Sequence, residues 1–394
     1  MDVFNKCRES AARTDPMHAA GVYPYYRMIS SAQEPVVVYQ GQELIMLGSN
    51  NYLGLTNHPE VKEAAAMALA IYGTGCAGSR LLNGTLDLHV QLENKLAQFM
   101  GREAVLTFST GYQVNVGVIS CLLDRQDITI LDALDHASII DGARLGFGRS
   151  HKYRHNDMED LEKKLAHVKD DKGKLIVVDG VFSMEGDLAP LDRIVELAKK
   201  YNARLMVDDA HGLGVFGQNG RGTPEHFDIE DKVDLVMGTF SKSLATVGGF
   251  VAGDQYVIDH IKHSARSAIF SAAPPPASVA AALKAIEIVE REPERRKRLW
   301  ENTEYMLKEL RGLGFDTGHS ESPVIPLVIG ADMDVYTMGM KLESEGVFVN
   351  PVVTPAVPDG QAMIRTSYMA THERQHLDRS LEAFAKVGRE MGLV

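Results

Sequence analysis

The sequence predicts an α/β protein in which a mostly parallel sheet, covered by helices on both faces, is followed by a smaller C-terminal α+β domain. Three observations predict it. Between about residues 103 and 253, apolar runs of strand length alternate with amphipathic stretches of helical period. These runs are apolar throughout, as strands buried on both faces must be. The composition, 45% hydrophobic and 24% charged over 394 residues, is that of a soluble globular protein. Such a length allows about two or three domains and the burial of about three quarters of the surface.

In chain order, residues 1–55 read as an arm with a hairpin around Gly41, and residues 59–72, rich in alanine, as a helix. Strands are expected at 104–108, 128–132, 175–179, 205–208, 235–239 and 250–252. Helices are expected at 157–168 and 190–201, the second opened by Pro190 at its first position. The composition turns heavily charged at 287–300, which predicts a long exposed helix leading out of a large domain and a boundary near 290. Beyond it, strands at 324–329 and 363–368 and helices at 335–345 and from about 373 form the smaller domain. The chain thus divides into 1–55, 56–290 and 291–394. It shows no fixed-period repeat.

Charge and cysteine content exclude several function classes. With 41 basic against 53 acidic residues the net charge is −12, which disfavours nucleic acid and anionic lipid as partners, so a phosphate must be bound locally. Cys7, Cys76 and Cys121 show neither pairing nor C-x-x-C spacing, which speaks against a disulfide framework or a cysteine zinc site and for a reduced cytoplasm. Residues 1–15 mix both charges and lack the apolar core of a signal peptide. The longest uncharged stretch, 267–283, is broken by Pro274, Pro275 and Pro276, so membrane contact is expected to be peripheral at most.

Two motifs resemble known sites without the context those sites need. Gly73 to Gly78 matches G-x-G-x-x-G, but a helix precedes it where a dinucleotide site needs a strand. His372-Glu373-Arg374-Gln375-His376 matches the zinc motif H-E-x-x-H, yet it follows Thr371, a candidate N-cap, at the start of a polar helix, and is read as solvated. His151 and His155 fall on a strand pattern that would not bring them to one helical face, and are read as structural. No metal site is expected.

The chemistry gathers at the carboxyl ends of the expected strands. Lys242, in Gly238-Thr239-Phe240-Ser241-Lys242-Ser243, follows an apolar strand with no nearby acid in the sequence, where desolvation makes a lysine an amine nucleophile. Asp208 ends the strand 205–208, ahead of Asp209 and His211, and can keep a pyridine nitrogen protonated. Ser109-Thr110-Gly111-Tyr112 lies between a strand and an apolar helix, the setting of an anion-binding helix N-terminus, and with Thr239 and Ser241 makes a phosphate cup. His136, after the strand 128–132, is placed to stack on a flat cofactor at the same sheet edge.

Together these motifs resemble the α-oxoamine synthase family of pyridoxal-phosphate enzymes, with the type I aminotransferase fold, over essentially the whole chain from residue 19. The resemblance implies pyridoxal 5'-phosphate as cofactor, Lys242 as Schiff-base lysine, Asp208 at the pyridine nitrogen, His211 near the ring hydroxyl and His136 stacked on the ring. It further implies Gly111, Tyr112, Thr239 and Ser241 around the phosphate, Ser183 beside the cofactor, and Ser271 reaching the phosphate from the second subunit of a homodimer. Asn50 and Arg365 match positions that hold the amino-acid substrate or its carboxylate. Residues 75–85, 238–243 and 354–356 are most similar to the branch that condenses L-serine with palmitoyl-CoA, with loss of carbon dioxide, to give 3-oxosphinganine, the first step of sphingolipid synthesis. Acyl carrier protein is the alternative donor, and members that use glycine or alanine share residues 50–55. Asp209 departs from the glutamate common in relatives. A non-catalytic partner subunit would lack the Schiff-base lysine, and Lys242 is present.

Overall fold

A computed structural model describes residues 2–19, 21–169 and 171–394. The first two strands, β1 (Val36–Tyr39) and β2 (Gln42–Met46), form the expected hairpin. It turns through Gln40 and Gly41, both at positive φ, as the twist of a tight hairpin requires.

Seven strands then build the large sheet: β3 (Ala104–Phe108), β4 (Ile128–Asp132), β5 (Arg149–Tyr153), β6 (Lys174–Asp179), β7 (Arg204–Asp208), β8 (Leu235–Thr239) and β9 (Gly249–Gly253). Their order is β3-β9-β8-β7-β6-β4-β5. Five of them, β4 to β8, pair in parallel, and β9 runs antiparallel to both β3 and β8. Alternate residues feed two cores. Ile130, Ile176, Val178, Val207 and Phe250 face one, and Leu131, Val177, Met206, Met237 and Val251 face the other, as period-two geometry demands. This is why β4, β6 and β8 carry no alternation of polarity: every position is buried.

Most expected elements appear within two or three residues of their expected bounds, and four differ in an informative way. The edge strand β5 is exposed at four of its five positions and charged, so its sequence carries no burial signal. A helix, Asn5–Ala19, occupies the expected N-terminal arm. The long exposed helix expected at 287–300 is two helices, Pro276–Arg291 and Pro293–Leu313, because Pro293 has no N–H with which to continue the first. Nor is that stretch wholly exposed, since Leu299 and Arg296 are buried. Pro190 is the N-cap of the helix Leu191–Lys200 and not its first residue.

The C-terminal part contains β10 (Val324–Gly330), β11 (Val347–Phe348), β12 (Asn350–Val352) and β13 (Ala362–Ser367). β13 lies between β10 and β12 in an antiparallel sheet. β11 pairs in parallel with β2, so the N-terminal hairpin completes a sheet with the C-terminal region. Among the described residues no helix is long and apolar enough to cross a membrane, and Cys7, Cys76 and Cys121 are free thiols.

Candidate active site

Parallel strands end on one edge, so β4, β6, β7 and β8 deliver Asp132, Asp179, Asp208 and Thr239 to the same crevice. There the chain leaves a cavity of about 260 Å³ lined by Thr110, Gly111, Tyr112, His136, Ser138, Asp179, Ser183, Asp208, His211, Thr239, Ser241 and Lys242, among others. Nine of the twelve residues expected in the site therefore meet in one cavity: His136, Asp208, His211, Lys242, Gly111, Tyr112, Ser183, Thr239 and Ser241.

The residues expected to form a phosphate cup lie at the start of the helix Gly111–Leu122, whose N-cap Thr110 accepts a hydrogen bond from the Gln113 backbone at 3.2 Å. A Cβ built on Gly111 would lie 2.8 Å from Thr239 Oγ1, so only glycine lets the helix terminus approach that hydroxyl. Thr239 and Ser241 share a hydroxyl hydrogen bond of 2.9 Å. Free N–H groups, a helix terminus and two hydroxyls are a donor set for an anion.

Facing the cup are the titratable groups. Desolvation by the surrounding protein pulls the Lys242 amine down to about 8, against the opposing charges of Asp208 and Asp179. Asp208 is buried and its two oxygens accept hydrogen bonds from Asn115 Nδ2 (2.5 Å) and the Ala210 backbone (3.0 Å). His136 opens into the cavity, yet desolvation by the protein around its ring lowers its pKa. His211 is driven well below the usual imidazole range by burial and by Lys242, and its Nδ1 meets the Tyr52 hydroxyl at 2.6 Å. Burial pushes that phenol up to about 12, so both partners stay neutral.

Asn50 and Arg365 stand beside this cavity rather than in its lining. Arg365 donates to the Ser183 carbonyl at 2.6 Å and to Asn50 Oδ1 at 3.1 Å, so the two are joined to each other and to the Ser183 wall. Ser271 also lies outside the lining, and its hydroxyl accepts from Gln113 Nε2 at 3.2 Å. Asp209, the departure from the family pattern, is buried away from the cavity. Its carboxylate accepts from the Thr223 backbone and hydroxyl (2.8 and 2.7 Å), and burial raises it to about 7.

Four residues of the site were not singled out from the sequence: Asn115, Ser138, Asp179 and Tyr52. Asn115 carried a signal, being the polar residue between Val114 and Val116 in an apolar helix. Asp179 accepts the His136 backbone N–H at 2.7 Å and donates its own N–H to Asp135 at 3.0 Å. Burial and neighbouring carboxylates hold Asp135 and Asp179 well above the usual carboxylate range.

The zinc-like motif needs a correction. His372 is not at a solvated helix start: it is fully buried, with Nδ1 accepting from the Met369 backbone (3.0 Å) and Nε2 on the Met46 carbonyl (3.2 Å). The helix begins at Arg374 with Glu373, not Thr371, as N-cap, and His376 Nδ1 accepts the Glu373 backbone N–H. Both ring nitrogens of His372 are thus engaged with the backbone, which leaves the motif without its first metal ligand. Activity is expected to survive exhaustive chelation, measured as turnover before and after dialysis against a strong chelator; a stoichiometric zinc whose removal stops turnover would reverse this assignment. His155 is clamped between Asp132 and Asp187, whose hydrogen bonds outweigh burial and raise it to about 10, a structural role.

The model of the family described as aminotransferase class I and II matches residues 42–384. The chain belongs to that family. Its relatives include serine palmitoyltransferases and 8-amino-7-oxononanoate synthases. It is 53% identical to the serine palmitoyltransferase of Sphingobacterium spiritivorum, over 95% of this chain and 94% of the relative. It is 44% identical to the 8-amino-7-oxononanoate synthase of Thermoanaerobacter pseudethanolicus, over 97% of each chain. Among solved aminotransferase-family structures, the serine palmitoyltransferase of S. paucimobilis with bound pyridoxal phosphate and myriocin superposes with a TM-score of 0.97 at 37% identity, covering all of both chains. The family and fold expected from the motifs are those found.

Proposed function

We propose that this chain catalyses the decarboxylating condensation of L-serine with a long-chain acyl thioester to give 3-oxosphinganine. The observation that carries it is Lys242, an amine of lowered pKa in a cavity that also holds Asp208, His136 and an anion cup, in a chain 53% identical to a serine palmitoyltransferase. The cavity fits pyridoxal phosphate: the cup at Gly111, Thr239 and Ser241 suits its phosphate, the Asp208 carboxylate its pyridine nitrogen, and the Lys242 amine its aldehyde. When bound, pyridoxal phosphate supplies an aldehyde that condenses with amines and a ring that takes up the electron pair released at the substrate α-carbon.

The chain's own residues do the rest. Lys242 alternates between carrying and accepting a proton at the substrate α-carbon, which an amine titrating near 8 does at neutral pH with little driving force lost in either direction. Asp208, held by two donors, would face the pyridine nitrogen of the bound cofactor and favour its protonated form. Arg365 offers a planar guanidinium to the substrate carboxylate, steadied by Asn50 and the Ser183 carbonyl. Tyr112, Ser183 and His211 line the same cavity, which supports reading them as cofactor contacts, His211 toward the ring hydroxyl. Ser271 is read as serving the second active site of a homodimer, which its position outside this chain's cavity supports. Residues 56–290 are read as the cofactor-binding domain and 291–394 as the smaller domain.

Serine is the expected amino acid. Of the residues that resemble the serine-using branch, Ser79, Arg80 and Asn83 do not line this chain's cavity, and Arg80 is spent on Glu93 and Thr107. The preference rests on the relatives and on a polar wall that can bond a substrate hydroxyl. A site built for a hydroxyl rejects the analogue lacking it by up to about 10⁴-fold, because its own polar groups are left unpaired. The ratio of kcat/KM for serine, alanine and glycine, each with one long-chain acyl-CoA, tests this. Glycine or alanine equal to serine would instead place the chain with the synthases that use those amino acids.

A further inference from the structure

Asn115 is fully buried in the helix Gly111–Leu122, and its amide is used on one side only. Nδ2 donates to Asp208 Oδ2 at 2.5 Å and to Ser138 Oγ at 2.8 Å, while Oδ1 has no partner. Turning the amide over would set a carbonyl oxygen against a carboxylate oxygen, so chemistry fixes the orientation and the orphaned Oδ1 is its consequence.

The direction of each following hydrogen bond is then determined. Ser138 Oγ accepts from Asn115, and its own proton is directed to His136 Nδ1, at 2.7 Å, because that ring nitrogen is already the acceptor of a backbone N–H and carries no hydrogen of its own. The Ser138 backbone N–H also points to that nitrogen, at 3.3 Å. Nδ1 therefore accepts twice, and a neutral imidazole that accepts at Nδ1 carries its proton on Nε2. Among the described residues Nε2 has no protein partner, and the ring lines the cavity.

We propose that Asn115 is a positioning residue: through Ser138 it locks His136 in the Nε2–H tautomer while it holds Asp208, so that one buried amide sets the hydrogen-bonding state of two cavity groups. The tautomer follows from the protein's own donors and acceptors, and only its effect on turnover rests on the proposed function. In Asn115→Asp one proton is shared between the carboxyls at 115 and 208, which lie too close for both to ionise, and the other oxygen at 115 takes the Ser138 proton, leaving Oγ to accept from His136 Nδ1–H.

The experiment is long-range ¹H–¹⁵N correlation of the histidine-labelled holoenzyme, with His136 assigned by the signals lost in His136→Gln. The wild type is expected to show Nε2–H, and Asn115→Asp a shift toward Nδ1–H with kcat lowered about 10- to 100-fold, the usual cost of losing an outer partner. Ser138→Thr, which keeps the hydroxyl, is expected to retain Nε2–H, whereas Ser138→Ala gives a mixture. An imidazolium or Nδ1–H in the wild type overturns the proposal, as does an unchanged tautomer in Asn115→Asp. If Asn115→Asp does not fold, the threonine and alanine variants decide, and identical spectra overturn it. A wild type with Nε2–H and no turnover of serine would refute the functional reading and leave the relay standing.

Discussion

Lys242→Ala is expected to lower kcat/KM by about 10⁴-fold or more, the loss seen when a group taking part in every bond-making step is removed. The reason is local. Lys242 follows β8 at the carboxyl edge of the sheet, where desolvation brings its amine down to about 8 while Asp208 and Asp179 keep it from falling further. An amine so poised is an effective nucleophile and proton carrier near neutral pH, and nothing else in the cavity lining supplies a second one. The purified wild type is expected to be yellow, and borohydride reduction followed by peptide mapping should place the cofactor adduct on Lys242. An adduct mainly on another lysine, or none, would sink both this assignment and the proposed reaction.

Asp208→Asn is expected to lower kcat by about 10- to 1,000-fold, the equivalent of the roughly one to three pKa units by which a paired carboxylate favours a protonated partner. The substitution is nearly isosteric, so the melting temperature should change little, and the remaining oxygen can still accept from Asn115 or from the Ala210 backbone. The loss should thus appear in turnover and in the absorbance of the bound cofactor, not in folding. Wild-type kcat in a folded Asp208→Asn variant would mean that the carboxylate does not set the protonation of the ring.

These two residues were legible because their chemistry is local: a lone lysine among small hydroxyl residues after an apolar run, and an acid at the end of another. The same holds for Gly111, where the strand–turn–helix pattern is read along a few residues. Asn115, Ser138, Asp179 and Tyr52 belong to a different class. They come from separate elements, and each matters through a partner distant in the chain: Asn115 through Asp208, Tyr52 through His211. Nothing in a single sequence says which buried polar group will face which. His372 shows the converse, since its spacing to His376 matches a zinc motif while its ring nitrogens are taken by the Met369 and Met46 backbones.

The sequence alone determined the layered α/β architecture, because apolar runs of strand length that alternate with helical periods pack as strands covered on both faces, and it determined the side chains able to do the chemistry. Tertiary structure decided the rest. It split the charged helix at Pro293, folded the N-terminal hairpin onto β11, and placed β5 at an edge where polar residues are tolerated. It also set the state of each group in the cavity, because desolvation and hydrogen-bond direction depend on what surrounds a side chain in space. For Lys242 and His136 those surroundings are assembled from strands and helices tens of residues apart.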